Sequence, residues 1–201
     1  MPKALTEKER AYVKQRLMEE AENCLQKFGV RKTTVDELVR RVHIPKGTFY
    51  LFYESKELLF YDVLLAFHGE IQAELMERLG TLAGNVTPDT LADVIFEFFK
   101  KVESSFLYPL MMSGEIELFM QKIPQEMVEE HARSDDLNVE QLVKLVPNIK
   151  AEKVPHYSAA LRAIFLSMLH KREVGEQVFA DTLYILIRGV VLQMFEGGEG
   201  K

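Results

Sequence analysis

Thr33-Thr34-Val35-Asp36-Glu37-Leu38-Val39-Arg40-Arg41-Val42-His43-Ile44-Pro45-Lys46-Gly47-Thr48-Phe49-Tyr50-Leu51-Phe52-Tyr53-Glu54-Ser55-Lys56 holds two short helices and the joint between them. Val35, Leu38, Val39 and Val42 fall at i, i+3, i+4 and i+7, one apolar stripe of a short helix. Thr33 or Thr34 supplies its N-cap. His43-Ile44-Pro45 interrupts it. A second short helix is expected from Pro45 or Lys46 to Phe52 or Tyr53, since a first turn tolerates proline. Lys46 and Tyr50 share one face of that helix, flanked by Thr48 and Leu51. Phe49 and Tyr53 share another, suited to packing. One side is anchored, and the other offers a cation, a hydroxyl and a phenol. A helix entering a DNA groove needs such groups for phosphates and base edges. Lys56 opens the next helix, where its charge and free N–H groups can jointly hold a phosphate.

Upstream, Val13, Leu17, Ala21, Cys24 and Phe28 step by four, four, three and four, and Gly29 is expected to close that helix. A long helix followed by two short ones is a helix-turn-helix unit. Downstream, Ser55 caps a fourth helix carrying Leu58, Leu59, Tyr61, Val63, Leu64 and Phe67. Gly84 to Pro88 reads as a loop, with Thr87 capping a helix to about Phe106. Tyr108-Pro109 opens another, to about Ile123-Pro124. Gln125 to Ala132 is expected to end at Ser134-Asp135-Asp136, with a separate helix from Val139 to Val146. Pro147-Asn148 and Val154-Pro155 bracket a joint, helices follow over about 156–171 and 174–195, and Gly197 to Lys201 frays. Strand signals are scarce. The fold class is all-α: an N-terminal helix-turn-helix domain, 1–55, and a larger helical domain, 56–201.

The charge is divided likewise. Residues 1–56 hold 12 Lys and Arg against 8 Asp and Glu, while 57–201 hold 13 against 23. A basic head on an acidic body suits phosphate contacts at one end only. The 201 residues, 47% hydrophobic and 28% charged, exclude a disordered or low-complexity chain. The single cysteine excludes a disulfide framework. No signal-peptide pattern or apolar run of membrane-spanning length is found, so a cytoplasmic location is expected. No Gly-rich phosphate loop or nucleophile elbow occurs, and His43, His68, His131, His156 and His170 lack ligand spacing. No enzyme, metal or cofactor is expected.

The helix-turn-helix stretch resembles the TetR family of transcriptional regulators. The residues that carry the resemblance are Thr33 to Leu38, Ile44-Pro45-Lys46-Gly47-Thr48-Phe49-Tyr50, and Phe52-Tyr53-Glu54-Ser55-Lys56-Glu57-Leu58-Leu59. The match spans about residues 8–65; the later helices agree in number and order. The resemblance implies phosphate contacts at Thr34, Lys46, Tyr50 and Lys56, and base contacts at Thr48 and its neighbours. Thr33, Gly47 and Leu51 complete the candidate DNA-binding set. Two positions depart from the family pattern. His43 stands where a glycine usually makes a left-handed turn, and Pro45 where Ser or Thr often caps the recognition helix.

The acidic remainder offers a dimer interface and an effector site. The last helix carries Phe179, Leu183, Leu186, Val190 and Met194 on one side, with Val178, Ile185, Leu192 and Phe195 around the rest. A helix that apolar is covered on two sides. Together with the Ala-rich preceding helix, this makes Ala160, Ile164, Leu183, Leu186 and Val190 the candidate interface of a homodimer. In the family the central region encloses an effector. Phe99, Met112, Glu115, Phe119, Phe165 and Met168 are its candidates here, and they suit a small hydrophobic ligand. Glu103, Glu115 and Glu117 among those residues suggest a cationic one. The expected protein is a one-component regulator, a repressor by family default, that binds a palindromic operator in double-stranded DNA as a dimer and is released by its effector. Alternatives are an activator of the same family and an all-α protein-interaction adaptor that does not bind DNA.

Overall fold

In a computed structural model of the chain, residues 5–82, 86–144, 146–147 and 149–196 are described. They form helices and no strand. Two compact units emerge: residues up to 69 with 105–125, and 70–104 with the residues from 126 onward. The first therefore includes more than residues 1–55, so the 55/56 division is a proposal about function and not about packing.

Helix α1 (Glu7–Lys32) begins at a reciprocal cap. Thr6 Oγ1 accepts from Glu9 N–H (3.3 Å), and the Glu9 carboxylate accepts from Thr6 N–H (2.8 Å). Val13, Leu17, Ala21 and Cys24 form its buried stripe, while Phe28 is half-buried. Burial also pushes the Cys24 thiol up. Gly29 closes the regular part of the helix, as expected. It takes φ 74°, a left-handed value, and one further turn follows to Lys32. Thr33 Oγ1 then donates to the Gly29 carbonyl (2.7 Å).

Helix α2 (Val35–Val42) starts at Thr34, whose Oγ1 accepts from Glu37 N–H (3.2 Å). It ends at His43, left-handed at φ 58°, as the sequence departure implies. Helix α3 (Lys46–Phe49) is shorter than expected. From Tyr50 the chain tightens into i→i+3 bonds, Leu51 N–H to Thr48 O (3.1 Å) and Phe52 N–H to Phe49 O (2.9 Å). Pro45 gives α3 no side-chain cap. Helix α4 (Lys56–Thr81) starts with Leu58 N–H donating to Ser55 Oγ (3.2 Å).

Helix α5 (Pro88–Ser104) follows Thr87, whose Oγ1 accepts from Thr90 N–H (3.2 Å). The single helix expected over 108–124 is two: α6 (Leu107–Met112) and α7 (Glu115–Met120). Gly114 separates them at φ 68°. Conversely, the two helices expected after Gln125 are one, α8 (Gln125–Lys144). Ser134-Asp135-Asp136 holds neither Gly nor Pro, and weak propensity alone does not stop a helix. Helix α9 (Val154–Ser167) gives way to a 3₁₀ turn over Met168–His170 and the one-turn α10 (Lys171–Val174). The last helix, α11 (Phe179–Glu196), starts later than expected. Gly84, Asn85, Asn148 and the expected tail at Gly197 to Lys201 lie outside the described residues.

In the second unit α11 packs on α5 and α9. Its buried residues are Phe179, Leu183, Ile187, Val191 and Met194. Tyr184 donates to Asp93 (2.8 Å) and Arg188 to Asp89 (2.9 Å) at the edge of that contact.

Gly29 is required twice. Its φ disfavours any side chain, and a Cβ there would lie 2.5 Å from Glu115 Oε2. Gly29→Ala is expected to lower stability by more than about 1 kcal/mol. Gly69→Ala, in open space on α4, is expected to be neutral or to stabilise by about 0.5–1 kcal/mol. Urea midpoints of the two variants compare them; equal midpoints would remove the strain argument.

Candidate nucleic-acid interface

The sequence predicts a helix with one anchored and one open face. Phe49 is fully buried and Tyr53 nearly so, and the Tyr53 hydroxyl donates to Asp62 (3.0 Å). Around the same short helix and turn, Tyr50 is 51% exposed and Leu51 61%. Lys46 and Gly47 are exposed and Thr48 is half-buried. Nothing lies within 4 Å of where a Gly47 Cβ would be, so a partner backbone can approach closely there. Thr34 is exposed at the N-terminus of α2.

Two candidates sit differently from the sequence expectation. Thr33 is fully buried, its hydroxyl committed to the Gly29 carbonyl. Lys56 Nζ donates to the carbonyls of Val30 (2.8 Å) and Thr33 (2.6 Å), with the ammonium 5.7 Å from the Phe60 ring centroid. Burial lowers the Lys56 pKa. Lys56 thus closes the carbonyl end of α1, work that the spacing Ser55-Lys56 does not advertise.

Four residues to which the sequence reading gives no role complete the electrostatics. Asp36 takes Lys46 (2.9 Å) and raises its pKa. Glu37 takes both Arg40 (2.7 Å) and Arg41 (2.6 Å). Glu57, buried beside Lys56, takes Lys122 (2.7 Å). Burial works to raise the Glu57 carboxyl, yet its bonds to Lys122 and to its own backbone N–H, with the charges of Lys122 and Lys56, together outweigh that and hold it below the usual range. Glu37 could have been paired with Arg40 and Arg41 by helical spacing; Asp36 meets Lys46 ten residues away across the turn, and Lys122 lies 65 residues from Glu57, beyond any local signal.

The candidate effector residues are divided between the two units. Phe99, Phe165 and Met168 lie in the second unit, where Phe99 and Met168 are buried and Phe99 packs edge-on against Phe165 (5.4 Å). Met112, Glu115 and Phe119 belong to the first unit, with Met112 exposed and Phe119 buried. The Glu115 carboxylate accepts from Val30 N–H. Glu103 is bound by Lys171 (2.6 Å) and Lys100. Neither carboxylate is free to meet a cationic ligand. Ser158 Oγ, on α9, is buried without a hydrogen-bond partner among the described residues. A shallow hollow between α4 and α5, lined by Ile71, Leu75, Val94 and Phe98, holds about 70 Å³, below the roughly 300 Å³ of a small-molecule pocket.

The candidate dimer residues divide as well. Ile164 and Leu183 are core, and Ala160 and Val190 are half-buried. Leu186 is 44% exposed and Ile185 68%. Stepping 183, 186, 190 and stepping 183, 187, 191 are both helical stripes; packing on α5 and α9 selects the second as the inner one.

Residues 17–63 match the sequence pattern of the bacterial regulatory proteins of the tetR family. No curated protein matches the chain in sequence. Among solved structures, a candidate TetR-family transcriptional regulator from Mesorhizobium loti superposes with a TM-score of 0.70 at 13% identity, over 92% of this chain and 96% of that one. RolR in complex with resorcinol gives 0.55 at 16% identity, over 98% and 97%. A candidate fatty acid metabolism regulator from Clostridium perfringens gives 0.52 at 17%, over 90% and 97%. The described helices are thus arranged as in TetR-family regulators. None of them is long and apolar enough to cross a membrane.

Two variants test the electrostatics. Lys56→Ala leaves two carbonyls without their donor and is expected to lower stability by about 1.5–3 kcal/mol; an unchanged urea midpoint would show that Lys56 does not close α1. For Glu57 the folded pKa lies below the unfolded one, so its contribution is present at neutral pH and is lost as pH falls through the carboxylate range. Lys122→Met removes that contribution. The stability gap between wild type and Lys122→Met is therefore expected to close on acidification, and a gap that stays constant with pH would contradict the coupling.

Proposed function

From the tetR-family identity of residues 17–63, we propose that this chain is a one-component repressor that binds a palindromic operator as a homodimer and is released by a small hydrophobic effector. The observation that carries the reading is the division of the α3 stretch. Phe49 and Tyr53 are buried, while Lys46, Gly47, Tyr50 and Leu51 are exposed around them. Lys46 and Tyr50 serve phosphates. Thr48 reads a base edge, and Leu51 packs on a thymine methyl. Thr34 adds its exposed hydroxyl at the start of α2, next to helix N–H groups that favour a phosphate. Thr33 and Lys56 act from behind, by holding the α1–α2 joint.

Dimerisation uses the outer faces of α9 and α11, with Ile185 and Leu186 at its centre. Exposed apolar residues of that size, on a helix whose other side is already core, suit a second copy of the chain. The effector is lodged in the second unit. RolR, similar in fold, is bound to resorcinol, a single aromatic ring with two hydroxyls. In this chain the Phe99–Phe165 pair would part to admit such a ligand, and Ser158 would supply the polar anchor in place of the committed carboxylates. A ligand releases DNA only through its preference for one state; a hundredfold preference corresponds to about 2.7 kcal/mol.

The test is selection of random duplex DNA by the purified chain, with salt titration of the winners. An enriched palindrome with half-sites about one helical turn apart, or a small multiple, is expected. Enrichment of no sequence would remove the regulator reading and favour a helical adaptor that binds protein.

A further inference from the structure

The cations near the reading turn are largely spent. Lys46 is paired with Asp36, Arg40 and Arg41 with Glu37, and Lys56 with two carbonyls. Arg10, on α1, differs. Its guanidinium lies over the Phe52 ring, 5.1 Å from the centroid, and no carboxylate among the described residues pairs with it. Phe52 directly follows Tyr50 and Leu51, the two most exposed large side chains of the turn. Lys14, one turn further along α1, provides the contrast. It lies 5.8 Å from the centroid of the neighbouring Tyr53 ring, but its ammonium is 3.0 Å from the Asp62 carboxylate. Two cations on one helix thus sit over adjacent rings, and only one of them keeps its charge unbalanced.

We propose that Arg10 is a DNA phosphate ligand, engaging the backbone beside the bases approached by Tyr50 and Leu51. The inference rests on the DNA-binding reading above and extends the contact set from α2 and α3 to α1. A guanidinium lying on a ring uses its flat face and keeps its N–H edge for a phosphate, which it can grip with two parallel bonds. The ring contact also restricts the side chain before DNA arrives, so less freedom is lost on binding. The backbone beneath is fixed as well. Arg10 N–H donates to Thr6 O (2.9 Å), in the first turn of α1, which is closed by the Thr6–Glu9 cap. An arginine over a ring without a carboxylate can also be simple surface packing, and the two roles differ in salt dependence.

The test compares the full-length wild type with Arg10→Ala, Arg10→Gln, Arg10→Lys and Lys14→Ala on one selected duplex, with Kd measured across salt concentrations. Each phosphate neutralised contributes about 0.9 to the slope of log K against log salt. Arg10→Ala and Arg10→Gln are expected to lower the slope by about 0.9 per bound protomer and to weaken binding to all sequences alike. Arg10→Lys is expected to retain most of the slope, and Lys14→Ala all of it. A wild-type slope in both neutral Arg10 variants would overturn the proposal, because a packing role lowers the urea midpoint but leaves the slope alone. An equal loss in Lys14→Ala would overturn it too, by reducing the effect to net charge. If the wild type binds no duplex, the DNA-binding reading falls and this inference with it; if it binds normally and only the Arg10 slope is unchanged, the inference falls alone.

Discussion

The backbone from Gly29 to Thr34 must leave one helix and enter another within the core of the first unit, and its polar groups need partners there. Two distant parts of the chain and one residue of the segment itself provide them. Lys56, at the start of α4, donates to the carbonyls of Val30 and Thr33. Glu115, at the start of α7, accepts from Val30 N–H. Thr33 folds its own hydroxyl back onto Gly29. The left-handed φ of Gly29 makes the turn possible, and the missing Cβ makes room for Glu115. The next residue is Thr34, the cap of α2, so the start of the helix-turn-helix pair is held by these bonds. They also explain why the first unit takes in residues 105–125.

Charge is treated just as economically. The basic surplus of residues 1–56 reads as a surface awaiting phosphates, yet much of it is already met within the fold. Glu37 holds two arginines of α2, and Asp36 reaches across the turn to Lys46. The exposed Lys46–Asp36 pair is weak and can open for a stronger anion. Lys56 is a different case, since moving it would strip two carbonyls of their donor. Net charge therefore overstates the cations a duplex can recruit, and the distribution of partners is the better guide to which ones remain.

Much of the fold is legible in the sequence. The left-handed His43 and the uncapped Pro45 follow from the resemblance to the TetR pattern, while the apolar stripe from Val13 to Cys24 and the Thr34 and Thr87 caps follow from rules reaching no more than one helical turn. The errors have the same origin. Ser134-Asp135-Asp136 looks like a stop but lacks a breaker. Ser113-Gly114 contains one, and its φ of 68° divides α6 from α7. On α11 the periodicity is satisfied by either of two stripes, and only packing tells that Leu183 is core while Leu186 is exposed.

The candidate site was legible as a motif and less so as a set of roles. Local sequence suggests that Phe49 and Tyr53 oppose Lys46 and Tyr50, but α3 ends at Phe49, so the turn after it and the packing of Tyr53 complete that separation. Local sequence determines an all-α chain with a helix-turn-helix near its start, because periodicity and caps are local properties. Tertiary structure alone decided that Thr33 is buried, that Lys56 closes α1, that Glu115 serves the backbone of Val30, and that Arg10 rests on Phe52. These pairings join residues 4 to 85 positions apart in the chain. A side chain's role depends on which partner satisfies it, and for most of these residues that partner is brought close only when the helices pack.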